Sequence, residues 1–239
     1  MRALAIETSG RSGALALVED GRVVAEETFP QGLKHAAELL PRLDAMLRGR
    51  GWLPKELQEL YVSVGPGSFT GLRIGITLAK TLAMVSGAKV AAVPSMRVLA
   101  ENAPVDAMHL LVVLDARRGS VFAARYQKEA GEWVEREPAH LDQLSLALSR
   151  APGPIYMLGE GLRIHQLPAD PTVIVTGPQL WEPAVSHVAR LGLEMAGAGD
   201  FVSEDLLAPL YLRASEAEEK WDNSSRVKPP TSAPAQEPA

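Results

Sequence analysis

Hydrophobic residues along the chain fall into short runs typical of strands and longer stretches with the spacing of helices. Residues 4–8 predict a buried strand, and residues 14–18 and 22–27 predict a hairpin around a turn at residues 19–21. The chain is therefore predicted to open with a three-strand meander.

The same pattern begins again about a hundred residues later. Residues 110–114 are apolar and are followed by Asp115, a polar turn, a second strand-like run at residues 120–126 and, after Ala130 and Gly131, another short strand. In the first copy, Glu7 occupies the position that corresponds to Asp115. Two copies of one unit predict a duplicated fold. The second half also predicts helices at residues 141–149 and 182–196 and strands at residues 155–158 and 172–175. Strands that alternate with helices favour the α/β class.

Two apolar segments have helical spacing. Residues 33–48 place their leucines and a methionine on one stripe, whereas residues 72–85 are apolar on nearly every side. A helix of the second kind is either interior or covered by a partner. Packing inside the core of the first half of the chain is the commoner situation. It readily explains one apolar side of this helix, but not apolar residues on all sides.

A glycine-rich turn joins a predicted strand at residues 60–64 to the second helix. Residues 65–75 read GPGSFTGLRIG. Glycines allow positive φ and close approach to a ligand, and Ser68 or Thr70 can cap the helix and leave N–H groups for an anion. No lysine follows the last glycine, so the turn is not a Walker A loop. Gly65, Gly67 and Gly71 are equally consistent with a tight packing turn.

Composition limits the chemistry. A length of 239 residues fits one large domain or two small lobes. The absence of cysteine excludes disulfides and thiolate catalysis. A net charge of −5 argues against autonomous nucleic-acid binding. His35 has no second ligand at metal-site spacing, and no G-x-S-x-G elbow occurs, so we expect neither a metal site nor a serine hydrolase. Without a leader or a membrane-spanning run, we expect a cytoplasmic protein.

Several blocks of the chain, in order, resemble the TsaB (YeaZ-type) family. GPGSFTGLRIG is the specific one, and the others are AIETS at residues 5–9, KHAAELLP at 34–41, DARRGSVF at 115–122 and PLYLR at 209–213. The family takes part in making the threonylcarbamoyl modification of tRNA adenosine beside the anticodon. Glu7 stands where the family usually has Asp.

The resemblance implies two ribonuclease-H-like lobes of the actin, Hsp70 and sugar-kinase (ASKHA) type. We place them at residues 1–103 and 104–214, and the composition of residues 215–239 predicts a flexible tail. Glu7 and Asp115 would face each other across the interlobe cleft. In that superfamily such acids place a metal–nucleotide complex. The simpler alternative, which we favour, is that each acid caps a turn or accepts local backbone N–H groups.

The resemblance also implies a non-catalytic subunit that binds the catalytic paralogue TsaD through the two helices. The residues expected to contact TsaD are Leu39, Leu43, Met46, Leu47, Ile74, Leu78 and Leu82. TsaD has a pair of histidines on the corresponding helix, which this chain lacks. The chain would form a homodimer when alone and would reach tRNA only through a complex that includes the ATPase TsaE. It would have no cofactor or metal of its own, with ATP and Mg²⁺ acting at the level of the complex. The alternative is a stand-alone ATP-dependent small-molecule kinase or ATPase, with Glu7 and Asp115 positioning magnesium.

Overall fold

Two five-stranded sheets organise the chain, whose residues 1–30, 35–167 and 169–213 are described by a computed structural model. The first sheet has the order β3-β2-β1-β4-β5. Its strands are β1 (Arg2–Glu7), β2 (Ser12–Glu19), β3 (Arg22–Pro30), β4 (Glu59–Ser63) and β5 (Lys89–Val93). The first three strands form an antiparallel meander, and β4 and β5 run parallel to β1.

The second sheet repeats this arrangement. Its strands are β6 (His109–Asp115), β7 (Val121–Glu129), β8 (Glu132–Asp142), β9 (Ile155–Leu158) and β10 (Val173–Val175). Read from β8, their order is β8-β7-β6-β9-β10, with an antiparallel meander followed by two parallel strands. Strand order and direction therefore match those of the first sheet. The predicted α/β class and the duplication are confirmed.

Five α-helices and three 3₁₀ turns complete the described chain. The helices are α1 (His35–Gly49), α2 (Phe69–Ser86), α3 (Ser95–Ala100), α4 (Leu144–Ser149) and α5 (Val185–Gly197). The 3₁₀ turns are Pro54–Glu56, Glu160–Arg163 and Pro178–Leu180. The helix predicted at residues 141–149 was three residues too long at its start, because Leu141 pairs with Phe122 in the sheet. Strand β5 and helix α3 were not predicted.

Large and small side chains of β1 point to opposite faces of the first sheet. In β1, Leu4 and Ile6 pack with α1 and α2, whereas Ala3 and Ala5 lie on the face that packs with α5. The small residues allow α5 to lie close, since a Cβ on Gly192 of α5 would be 2.3 Å from Cγ of Tyr61. The first lobe thus has three layers, with α1 and α2 on one face and α5 on the other.

Each lobe lends a helix to the other. Helix α5 follows the second sheet along the chain, yet Val188 and Leu191 are buried against the first sheet. Helix α3 follows the first sheet, yet Met96 and Leu99 belong to the core of the second. The predicted boundary at residue 103 lies between the last strand of the first sheet and the first strand of the second. Helices α3 and α5 each pack across that boundary.

Two further expectations concern the tail and membrane-spanning helices. Residue 214 and the tail predicted at residues 215–239 lie outside the described residues. Among the described helices, none has the length and apolar character needed to cross a membrane.

Candidate functional site

A cleft of about 1020 Å³ lies between the lobes and is lined by residues from both. The carboxyl end of β6, the glycine-rich turn and the segment at residues 210–213 form much of its wall. Its charged lining comprises Arg11, Arg73, Asp115, Arg117, Arg118, Glu160, Glu182 and Arg213. Five arginines and three acids face this space, so its lining is basic in a chain whose net charge is −5.

Glu7 is not among the residues that line the cleft. Its side chain is fully buried, and Oε1 accepts hydrogen bonds from the Ser9 N–H at 2.6 Å and the Ser9 hydroxyl at 2.7 Å. Oε2 accepts a hydrogen bond from the hydroxyl of Ser63 in β4. Burial raises the pKa of Glu7, and these hydrogen bonds act in the opposite direction. The expectation that Glu7 faces Asp115 across the cleft is wrong, because Ser9 and Ser63 hold the carboxylate inside the first lobe.

Asp115 does line the cleft, at the end of β6. Its Oδ1 accepts a hydrogen bond from the Arg117 N–H at 3.0 Å, which matches the expected turn-capping role. Nε2 of His165 lies 3.5 Å from the same oxygen, and the Asp115 N–H donates to Glu160 Oε1 at 3.0 Å. His165 and Glu160 were not predicted as site residues, because both come from the segment after β9, far from Asp115 in the sequence.

Asp115, Glu160 and Glu182 form an acidic corner of the cleft, and burial is the main influence on the pKa of Glu160 there. Desolvation raises the pKa of Glu160, and the negative charges of Asp115 and Glu182 act in the same direction. Arg11, which belongs to the turn of the first lobe between β1 and β2, lowers it. Arg11 also donates its backbone N–H to Glu182 Oε2 at 3.0 Å. The two lobes therefore meet at this corner of the cleft.

The glycine-rich turn packs tightly against the turn after β1. A Cβ on Gly67 would be 2.5 Å from the Ser9 carbonyl oxygen, and one on Gly71 would be 1.9 Å from that of Thr8. The Ser68 N–H donates to the Ser9 carbonyl at 2.8 Å. Close backbone approach therefore explains Gly67 and Gly71 without a ligand.

The same turn is fixed at its other end. Gly65 has φ 112°, in the region that favours glycine, and its N–H donates to Ser95 Oγ at 2.9 Å. Ser68 is the N-cap of α2 and accepts a hydrogen bond from the Gly71 N–H at 3.2 Å. Of the two predicted capping residues, Ser68 caps the helix and Thr70 is exposed at its first turn.

Metal-binding side chains do not gather at this site in the part of the chain that the structure describes. Across residues 1–30, 35–167 and 169–213, no three His, Asp or Glu side chains are placed to hold a metal ion. His35 begins α1, but the position of its side chain is outside the description.

The seven predicted partner contacts lie mostly inside the protein. Leu39, Leu43, Met46, Leu47, Leu78 and Leu82 are buried in the core of the first lobe, and Ile74 is partly buried against it. Their spacing correctly marked the apolar sides of α1 and α2. Those sides face the sheet, so the six buried side chains are not available to a partner in this conformation. Their assignment as a contact surface is corrected accordingly.

A different face of the two helices is exposed. We define the helix face by its exposed residues Leu40, Pro41, Asp44, Ala45 and Arg48 of α1 and Thr77, Thr81, Met84 and Val85 of α2. The exposed fraction of the side chain is 57% for Leu40, 75% for Met84 and 66% for Val85. Between Thr77 and Val85 this face has no acidic residue and only small or apolar exposed side chains.

The arrangement of the two sheets defines the class of this protein. Two duplicated sheets, each with a meander and two parallel strands, define two ribonuclease-H-like lobes of the ASKHA type. A Pseudomonas aeruginosa structure described as YeaZ superposes with a TM-score of 0.74 and 25% identity, covering 88% of this chain and 99% of that one. A second P. aeruginosa structure, described as similar to peptidase YEAZ, has a TM-score of 0.76 and 24% identity, covering 89% and 99%.

Sequence relatives identify the family. TsaB of Bacillus subtilis strain 168, a tRNA threonylcarbamoyladenosine biosynthesis protein, is 32% identical over 95% of this chain and 100% of its own length. TsaB of Escherichia coli K12 is 29% identical over 92% and 98%. A family model described as TsaD, tRNA N6-adenosine threonylcarbamoyltransferase, matches residues 22–167. The chain belongs to the TsaB (YeaZ-type) family, within the wider group that the TsaD model describes.

Proposed function

We propose that this protein is a non-catalytic subunit in the synthesis of N6-threonylcarbamoyladenosine in tRNA. It binds and stabilises a TsaD-type catalytic subunit in the cytoplasm, and the chemistry and any ATP and Mg²⁺ lie with the complex, which includes a TsaE-type ATPase. It has no cofactor of its own and reaches tRNA only through this complex.

The match to TsaB relatives over their full length supports the pathway. The inward orientation of Glu7 supports the non-catalytic role, because a carboxylate bound by Ser9 and Ser63 is not presented to a nucleotide in the cleft.

The helix face is chosen as the surface that binds TsaD because of its exposed apolar and small residues. Exposed Leu40, Met84 and Val85 provide apolar area, and Ala45, Thr77 and Thr81 are small enough for another helix to approach closely. Apolar and small residues with few charges are typical of the core of an interface. In the absence of the partner, the same surface would pair with itself in a homodimer.

The experiment is light-scattering size-exclusion chromatography of this protein mixed with TsaD from its own organism, beside each protein alone, followed by a tRNA modification assay. We expect a stable mixed complex that modifies tRNA and no activity from this chain alone. ATP turnover by this chain alone, without complex formation, would contradict the proposal and favour the small-molecule kinase, in which case Asp115→Ala should abolish the turnover.

The surface is tested with charged substitutions at exposed positions. Leu43→Glu is unsuitable because Leu43 is buried and its replacement would disturb the core. Ala45→Glu and Thr81→Glu place a charge on the helix face without entering the core. Each should weaken complex formation at least about tenfold, about 1.4 kcal/mol, by desolvating an unpaired charge. Ser145→Glu, at an exposed position of α4, is the matched control. Unchanged TsaD affinity in both helix variants would refute the interface while leaving the subunit role to the mixing experiment.

A further inference from the structure

The segment after α5 returns to the first lobe before it reaches the second. Val202 pairs with Val90 at the edge of β5, and Leu207 is buried in the core of the first lobe. The Leu210 N–H then donates to the Val64 carbonyl at 2.7 Å, beside the glycine-rich turn. The last described residues therefore have a fixed attachment to the first lobe.

Tyr211 extends this attachment along α2. Its ring lies 5.0 Å from that of Phe69, centroid to centroid, and its hydroxyl accepts a hydrogen bond from Arg73 Nε at 2.8 Å. The Arg73 guanidinium lies 3.9 Å from the centre of the Phe69 ring. Two aromatic rings in tilted contact, 31° between their planes, with a cation over one of them form a specific contact rather than a loose surface association.

Arg213 contacts the opposite lobe. Its Nη1 donates to the Ala116 carbonyl at 2.8 Å and to the Arg117 carbonyl at 3.3 Å. Both acceptors belong to the turn that follows Asp115 at the end of β6. Two residues apart in the chain, Tyr211 and Arg213 are thus bound to different lobes, and both line the cleft.

The turn that Arg213 contacts has an unusual backbone. Arg117 has φ 62° and Arg118 has φ 54°, a left-handed conformation that is uncommon for residues other than glycine. Such conformations persist where surrounding contacts impose them. The bonds from Arg213 to the Ala116 and Arg117 carbonyls, together with the bond from the Arg117 N–H to Asp115, are contacts of that kind.

We propose that residues 207–213 form an interlobe latch, in which Tyr211 holds the first lobe, Arg213 holds the second, and the pair keeps the arginine-lined cleft closed. Loss of the Arg213 contact lets the cleft widen on this side, because residues 207–213 contain no helix or strand and reach the second lobe at their end. Helices α3 and α5 and the bond from Arg11 to Glu182 still join the lobes elsewhere. The latch acts on the cleft, at a site distinct from the helix face.

The absence of cysteine makes the test direct, since two introduced cysteines are the only labelling sites. Thr77→Cys in α2 and Ser145→Cys in α4 are exposed and lie in different lobes. Spin labels at these positions report the interlobe distance by pulsed electron–electron double resonance. Excess unlabelled protein is added to suppress signals between labels on different molecules. Arg213→Met removes the described contacts of the segment with the second lobe. Tyr211→Leu removes the ring and hydroxyl contacts with α2, while Leu207 and the Leu210 N–H still attach the segment to the first lobe. Arg22→Met, an exposed arginine of β3 outside the helix face, is the control.

Each latch variant should shift or broaden the distance distribution by more than about 2 Å toward longer distances, and the control should not. The double variant should go no further than Arg213→Met alone, because a tie broken at the second lobe is already open. Unchanged distributions in both single variants would overturn the proposal. Additive shifts in the double variant would also overturn it, since they would mean two independent contacts. A cooperative thermal unfolding transition confirms that each variant is folded. If Tyr211→Leu is not folded, Tyr211→Phe, which removes only the hydroxyl contact with Arg73, replaces it. If Arg213→Met is not folded, Arg213→Lys, which removes the guanidinium, replaces it.

Discussion

The Ser63 hydroxyl donates a hydrogen bond to Glu7 Oε2, so that the carboxyl ends of two neighbouring parallel strands, β4 and β1, are joined through side chains. Ser9 occupies the other carboxylate oxygen through its N–H and hydroxyl. A buried carboxylate needs such partners, because burying an unpaired polar group is costly. Glu7 is therefore fixed inside the first lobe by side chains of its own turn and of β4.

Glu7→Gln should change how stability depends on pH. Burial raises the pKa of Glu7 above its usual 4.5, so between the unfolded and folded pKa values the folded state binds more protons than the unfolded chain. The stabilisation is present below the unfolded pKa and is lost as pH rises through the folded one. Glutamine cannot ionise and keeps an acceptor for Ser9. The free energy of unfolding of the variant should therefore not show this decline as pH rises. Urea unfolding from about pH 4.5 to neutrality measures the difference in free energy of unfolding.

The control for this substitution is Glu26→Gln, at an exposed position of β3. Its stability should run parallel to that of the wild-type protein over the same pH range. If Glu7→Gln also ran parallel to the wild type, the carboxyl would titrate alike in the folded and unfolded states, and the account of its burial would be wrong.

Gly71→Ala should destabilise the protein strongly although alanine favours helices. The new Cβ would lie 1.9 Å from the Thr8 carbonyl oxygen, so α2 would have to move away from the turn after β1. Overpacking of this kind costs about 1–3 kcal/mol or more. Gly49→Ala is the matched control at the end of α1, where an added Cβ meets nothing within 4 Å. It should be neutral or stabilise by up to about 1 kcal/mol. Thermal unfolding of both variants compares them, and equal stability would contradict the packing role of Gly71.

The duplicated architecture could be predicted because its signal is local. An apolar strand, an acid and a hairpin occur twice, and each part involves residues that are close in sequence. The turn between β2 and β3, for example, uses Asp20 at φ 50° and Gly21 at φ 78°, which its sequence indicates. Strand–acid–hairpin patterns therefore gave both meanders and the positions of Glu7 and Asp115 at the strand ends.

The direction of the site residues could not be predicted, because it depends on distant partners. Glu7 turns inward because of Ser63, which lies 56 residues away. Helix α2 is apolar on many sides, and spacing alone does not show which side meets the sheet. The opposite face of that sheet is covered by α5, which follows the whole second sheet along the chain. The contact of Arg213 with Ala116 spans 97 residues and leaves no local pattern.

Leu43→Ala and Leu40→Ala, on the same helix, should differ in their effect on stability. Leu43 is 3% exposed and packs in the core of the first lobe, so its truncation leaves a cavity and should cost about 2–5 kcal/mol. Leu40 is exposed and its truncation should change stability by less than about 0.5 kcal/mol. Urea unfolding of the isolated protein, at concentrations below those that favour dimers, measures both. Similar costs for the two variants would mean that α1 does not present these sides to the core and to solvent.

Glu101→Gln should weaken the attachment between the two exchanged helices. Glu101 follows α3, and its carboxylate binds Arg97 of α3 and lies 2.5 Å from Arg190 Nη2 of α5. The side chains of Glu101 and Arg97 are only 16% and 18% exposed. Without the carboxylate, two guanidinium groups remain close together with less compensation. The expected cost is about 1.5–3 kcal/mol in the free energy of unfolding.

The matched control is Asp44→Asn, which removes the charge of an exposed acid paired with Arg48 one helical turn away. Exposed pairs of this type contribute little, so the control should lose less than about 0.5 kcal/mol. Salt provides a second distinction, because screening weakens exposed pairs more than partly buried ones. The cost of Glu101→Gln should therefore persist at high salt, whereas any effect of Asp44→Asn should vanish. A cost for Glu101→Gln as small as that of the control would show that this ion pair does not hold α3 and α5 together.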